Sequence, residues 1–133
     1  MARRAAAIRV LLVDDDEAFL SALSAAIGHR QIAVVGTARS GEEALERVAE
    51  LQPDVIVLDV LMPGMGGVEA ARRCRERHPG CRLILISGSI FQQQAPDLAE
   101  LEVDRYLTKS EVMARLQPTI LSVSGDTVTH AAR

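Results

Sequence analysis

The chain has 133 residues, 48% of them apolar, and a formal net charge of −3. That length and apolar share suit one compact domain with a real core, and the weak charge gives no strong pull toward nucleic acid or an acidic membrane. With Phe19, Phe91 and Tyr106 as the only aromatics, a base-stacking platform is excluded as well.

The start, MARRAAAIRV, is basic, but Arg9 cuts its apolar run short of a secretory leader. Residues 1–7 are expected to form a flexible N-terminus. No stretch reaches the roughly 20 apolar residues of a membrane span. Cys74 and Cys81 make no CxxC pair and read as free thiols of a reducing compartment, so a cytoplasmic location is expected.

IRVLLV (Ile8–Val13) is rich in branched residues and bounded by charge, which predicts a buried strand. Phe19, Leu20, Leu23 and Ile27 then recur at helical spacing, predicting a helix over Glu17–His29. IAVVGT (Ile32–Thr37) is a second strand. SGEE opens the next helix as a capping box, with Ser40 as N-cap and Glu43 reaching back. Ala44, Leu45, Val48 and Leu51 form its apolar stripe, and Pro53 ends it. DVIVLD (Asp54–Asp59) is apolar on both faces, as in the middle of a parallel sheet.

MPGMGG is a loop by its Pro and Gly content. A helix follows over Val68–His78, stopped by Pro79 and Gly80, with the basic run Arg72 to Arg77 on its solvated face. RLILIS (Arg82–Ser87) is the fourth strand. Pro96 inside FQQQAPDLAELEV predicts a short, late or kinked fourth helix, because an interior proline costs about 3 kcal/mol. Arg105–Leu107 is a short fifth strand, and a last helix is expected from Ser110 to about Val123. Residues 124–133 are expected to be a polar, frayed tail or the start of a linker. Alternating strands and helices with short connections give an α/β fold with a parallel sheet and helices on both faces.

Open parallel sheets bind ligands at the carboxyl ends of their strands. Four of the five expected strands deliver polar groups there. The first runs into Asp14, Asp15 and Asp16, the third ends in Asp59, the fourth in Ser87, and the fifth leads to Thr108 and Lys109. Each has an ordinary explanation taken singly: helix-dipole carboxylates, Asx turns, turn chemistry, a surface lysine. Together they put several acids on one edge, where like charges raise one another's pKa and call for a compensating cation. Oxygen ligands with room for water suit Mg²⁺. His29, His78 and His130 have no zinc-like spacing. Lys109 is the only lysine among fifteen basic residues. A compact ammonium on a flexible stem fits a narrow space that a broad guanidinium would crowd.

VLLVDDDEAFL, DVIVLDVLMPGMGG, LILISGS and YLTKS, in that order over residues 8–123, resemble the receiver domain of two-component response regulators. The resemblance implies a flavodoxin-like doubly wound sheet of five strands in the order 2-1-3-4-5. It makes Asp59 the phosphoacceptor. Asp14 and Asp15 become the acidic pair that holds Mg²⁺ with Asp59 and the backbone carbonyl of Leu61, with Asp16 the alternative should the register of the acidic run shift. It makes Ser87 the hydroxyl that turns toward the phosphoryl group, Lys109 the ion-pairing lysine, and Tyr106 the aromatic that reorients with Ser87. The implied partner is a sensor histidine kinase or a phosphotransfer protein. The implied signalling surface is the fourth helix, fifth strand and last helix, which the family also uses for homodimers. Such a domain is a signalling module with self-catalysed phosphotransfer and dephosphorylation rather than an enzyme.

Ser110 stands where many receivers carry proline, and YLTKS resembles the subgroup joined to a helix-turn-helix output domain. The receiver itself is expected to bind neither nucleic acid nor membrane. The output is either a DNA-binding domain outside this sequence or a separate protein. Apolar Leu61 predicts slow loss of phosphate. Two rival chemistries lack their residues. An aspartyl-nucleophile phosphatase needs a second Asp at position 61, and dinucleotide binding needs G-x-G-x-x-G where this chain has DDDE.

Overall fold

The computed structural model describes residues 7–62, 64–88 and 103–131, with side chains through Ser124. The expected irregular helix around Pro96, most of the expected flexible start, and the last two residues lie outside them.

Three apolar runs form the centre of the sheet. Strands β1 (Ile8–Val13), β3 (Val55–Asp59) and β4 (Arg82–Ser87) are buried on both faces once past their first residues. Strands β2 (Ile32–Ala38) and β5 (Arg105–Thr108) are more exposed and lie at the edges. All pair in parallel in the order β2-β1-β3-β4-β5. Burial on both sides explains why the central strands are continuous Val, Ile and Leu with no polar alternation. The order sets β1 against β3 with Val13 opposite Leu58, so the residues following both strands emerge side by side.

Helices cover both faces. On one, α1 (Glu17–Ala26) and the last described helix, α4 (Val112–Ala131), bury Leu20, Leu23, Leu116 and Ile120 against Val10, Leu12, Val57 and Ile84. On the other, α2 (Gly41–Leu51) and α3 (Gly67–Arg77) pack Ala44, Val48, Ala70 and Cys74 onto Leu11, Ile56, Leu58 and Leu85. Alternate residues of each strand thus serve opposite cores. Each fully buried Leu or Ile contributes about 1.5–3 kcal/mol. Both cysteines are free and buried, and burial, with Cys81 nearby, pushes the Cys74 thiol up to about 12.

Two helix ends differ from expectation. Helix α1 stops at Ala26 rather than His29, with Ile27 as its C-cap and the Ile27 N–H still bonded to the Leu23 carbonyl at 3.0 Å. The Gly28 carbonyl is then taken by the Gln117 side-chain amide at 3.0 Å, and the His29 Nδ1 accepts from the Gln31 N–H. Helix α4 runs on to Ala131, past the end expected near Val123. The capping box of α2 is also offset. Ser40 accepts from the Glu43 N–H at 3.0 Å, but the Glu43 carboxylate reaches the N–H of Arg39 rather than that of Ser40. No described helix is long and apolar enough to cross a membrane.

Candidate functional site

The acidic run after β1 divides its labour by position. Asp14 is buried, at 1% exposure, and its Oδ1 accepts the Asp16 N–H at 2.9 Å. Asp15 is exposed but offers a carboxylate oxygen to the same cluster. Asp16 turns to the helix instead, capping α1 by accepting the Phe19 N–H at 3.2 Å. The alternative role considered for Asp16 is therefore replaced by a capping role.

At the end of β3, Asp59 is buried, and its Oδ1 accepts the N–H of Leu61 at 3.0 Å. Leu61 itself points its side chain outward, 55% exposed. Behind Asp59, α3 begins so close that a Cβ on Gly67 would collide with the Asp59 carbonyl oxygen and the Val60 Cα. The Gly67 N–H bonds the Val60 carbonyl at 2.9 Å. The GG was legible as part of a loop; the contact of Gly67 with the backbone of Asp59 was not.

At the end of β4, Ser87 is fully buried, and its carbonyl accepts the Lys109 N–H at 2.8 Å. That bond sets the start of the lysine stem beside the site. Lys109 Nζ then stands 3.2 Å from Asp14 Oδ2 and 3.2 Å from Asp59 Oδ2. The ammonium also lies over the Phe19 ring, 4.5 Å from its centroid. Sequence reasoning read Phe19 only as part of an apolar stripe. Tyr106, on the edge strand β5, is 41% exposed, and desolvation holds its phenol above the usual value.

The electrostatics follow from this arrangement. Burial, together with the Asp59 charge, pushes the Asp14 pKa above the usual carboxylate range, although the Asp16 N–H and Lys109 pull it down. Burial works against the Lys109 ammonium, yet the Asp14 and Asp59 carboxylates outweigh it and raise its pKa. One amine therefore does not balance the acids. Asp14 Oδ2, buried and close to Lys109, has no hydrogen bond of sound geometry. Asp14, Asp15 and Asp59 each bring one oxygen within 4.8 Å of the others. An oxygen-only donor set with an orphaned buried oxygen and one exposed member fits a hard divalent cation that keeps part of its water shell.

An open parallel sheet with an acidic site at its carboxyl edge, where β1 and β3 lead to opposite sides, is the doubly wound plan of flavodoxin-like proteins. Within that plan, the family model for the response regulator receiver domain matches residues 10–121, and the chain belongs to that family. The chain is 34% identical over 114 residues to the response regulator GacA of Pseudomonas viridiflava, covering 85% of this chain and 53% of that protein. It is 44% identical over 90 residues to a protein-glutamate methylesterase/protein-glutamine glutaminase of Geobacter metallireducens, covering 65% of this chain and 25% of that one. Among solved structures, the REC domain of AraT, a response regulator from Geobacillus stearothermophilus, aligns with a TM-score of 0.82 at 30% identity, covering 92% of this chain and 97% of that one. The chain thus spans about half the length of one curated relative and a quarter of the other.

Proposed function

We propose that this domain takes a phosphoryl group onto Asp59 from a phosphohistidine of a sensor kinase or phosphotransfer protein, or from a small phosphodonor. The observation that carries the reading is the bridge from Lys109 Nζ to two buried carboxylates, at 3.2 Å to Asp14 and 3.2 Å to Asp59. A structural ion pair would need only one of them.

Asp59 is the nucleophile. The Leu61 N–H fixes the plane of its carboxylate through Oδ1, leaving the other oxygen directed at the cation side of the site. As an Asp59 oxygen bonds to phosphorus, the bond from phosphorus to the donor breaks and the donor leaves with the electron pair. Lys109 offers N–H donors to the charge that builds on the transferring oxygens, held in place before the reaction begins. Mg²⁺ would be held by Asp14, Asp15, Asp59 and the Leu61 carbonyl, and when bound it neutralises the acids and polarises the phosphoryl oxygens. Water later hydrolyses the acyl phosphate. The exposed, apolar Leu61 side chain offers no polar group to orient that water, so phosphate loss is slow.

Phosphorylation brings about −1.5 to −2 charge and new acceptor oxygens. Ser87 turns its hydroxyl to the phosphoryl group and Tyr106 moves inward from its half-exposed position, shifting the surface around β5 and α4 toward a second arrangement. That surface addresses a DNA-binding output domain, a separate protein or a second copy of the chain. The reading places the protein in the cytoplasm, with its kinase.

Incubation with Mg²⁺ and acetyl phosphate, followed by mass spectrometry, tests this. One phosphoryl group on Asp59, absent from Asp59→Asn, is expected. Turnover of assorted phosphate esters, or no modification, would refute it.

A further inference from the structure

We propose that Phe19 is a positioning residue for the Lys109 ammonium, its ring face holding Nζ beside the two carboxylates. The proposal rests on the phosphoryl-acceptor reading for its consequence, but its geometry stands apart from it. Lys109 carries a long flexible stem and a side chain 34% exposed. Asp14 and Asp59 draw the ammonium inward from one side, each at 3.2 Å. Neither acid prevents the amine from swinging out toward water. The Phe19 ring supplies a further hold, its centroid 4.5 Å from Nζ, inside the range where the negative face of an aromatic ring attracts a cation.

The ring is itself fixed. Asp16 caps α1 through the Phe19 N–H, and the ring packs partly buried against the core shared by α1 and α4. The acidic run therefore has two outputs. Asp14 and Asp15 face the cation site, while Asp16 sets the start of the helix that aims Phe19 at the same amine. A ring supplies attraction without adding a donor or acceptor, so it steers Lys109 without competing for the oxygens that the ammonium must serve. It also sheds water from the amine, which strengthens both ion pairs.

The test uses the full chain with fluorinated phenylalanines at position 19. Fluorine drains the ring face while nearly preserving shape. Because Lys109 is the only lysine, lysine-selective isotope labelling gives a single side-chain NMR signal to follow. The rate of phosphorylation by acetyl phosphate with Mg²⁺ should fall stepwise from mono- to di- to trifluorinated ring. Phe19→Leu should be about five- to tenfold slower, and Phe19→Trp should restore the rate. The ring-current shift of the Lys109 ε-methylene should vanish in Phe19→Leu. A rate flat across the fluorinated series would overturn the proposal by reducing Phe19 to a packing residue. An unchanged ε-methylene shift in Phe19→Leu would also overturn it. If the wild type is not phosphorylated at all, the functional reading fails. The NMR shift, which needs no phosphorylation, then decides the positioning claim by itself.

Discussion

Strand β5 is bracketed by two charged clusters of opposite balance. At its start, Asp104 sits between two guanidiniums: Arg82 reaches its Oδ1 at 3.1 Å and Arg75 its Oδ2 at 3.3 Å. The Leu83 N–H adds a third donor at 2.8 Å, so both oxygens are engaged. At its end, three acids cluster, two of them share one ammonium, and among the described residues Asp14 Oδ2 is left without a proper donor. In the first cluster both oxygens of the acid are satisfied by the protein alone, and these contacts fasten α3, β4 and β5 together. Among the described residues the second carries surplus negative charge, an arrangement that suits a cation. The choice of base matches. Planar forks serve the acid between strands and helix, and a compact point charge serves the acidic cluster that we propose receives a phosphoryl group.

Substitutions can break or sharpen this contrast. The largest loss of stability is expected for Asp104→Ala, which strands two partly buried guanidiniums and should cost about 2–3 kcal/mol in urea unfolding, with or without Mg²⁺. A change much under 1 kcal/mol would mean that the first cluster is not a fastener. Lys109→Arg should fold normally and bind Mg²⁺, yet accept phosphate from acetyl phosphate roughly ten- to hundredfold more slowly. Wild-type rates in that variant would refute the argument for a compact amine. Asp14→Asn should act in the opposite direction on stability. The pKa of Asp14 is raised by burial and by Asp59, so its ionised form opposes folding at neutral pH, and removing the charge should raise the metal-free Tm by a few degrees. The same variant should lose most of the stabilisation that Mg²⁺ gives the wild type. Equal Mg²⁺ responses in thermal melts would remove Asp14 from the cation site. The smallest effect belongs to Glu69, whose pairs with Arg72 and Arg73 lie on the surface of α3. The Arg73 and Arg72 guanidiniums hold its carboxyl below the usual range, but solvent screens such pairs, and Glu69→Gln should leave the melting curve unchanged.

The two clusters were unequally legible. The site edge announces itself because strands buried on both faces are unbroken apolar runs, so a polar residue at the end of each stands out: Asp14 after VLLV, Asp59 after VIVL, Ser87 after LILI. The central strand order was legible only through family resemblance, since periodicity does not say which strands are neighbours. Asp54 was counted with β3, but its carboxylate accepts the Arg9 N–H and it precedes the strand. Within DDD the resemblance set Asp14 and Asp15 apart from Asp16, but which of three identical residues caps the helix depends on where the helix begins. Asp104 and its arginines drew no attention. They lie on separate elements, and a lone acid before an edge strand has no local pattern. Phe19 was hidden for the same reason, since no spacing rule connects a residue of the first helix to one after the fifth strand.

The missing Cβ of Gly67 carries one more consequence. With α3 abutting the backbone behind Asp59, that carboxylate has a firm backstop rather than a springy loop. If Asp59 takes a phosphoryl group as proposed, recoil toward α3 would be blocked, and the absence of a single methyl group would leave β4 and β5 as the side on which the change is expressed.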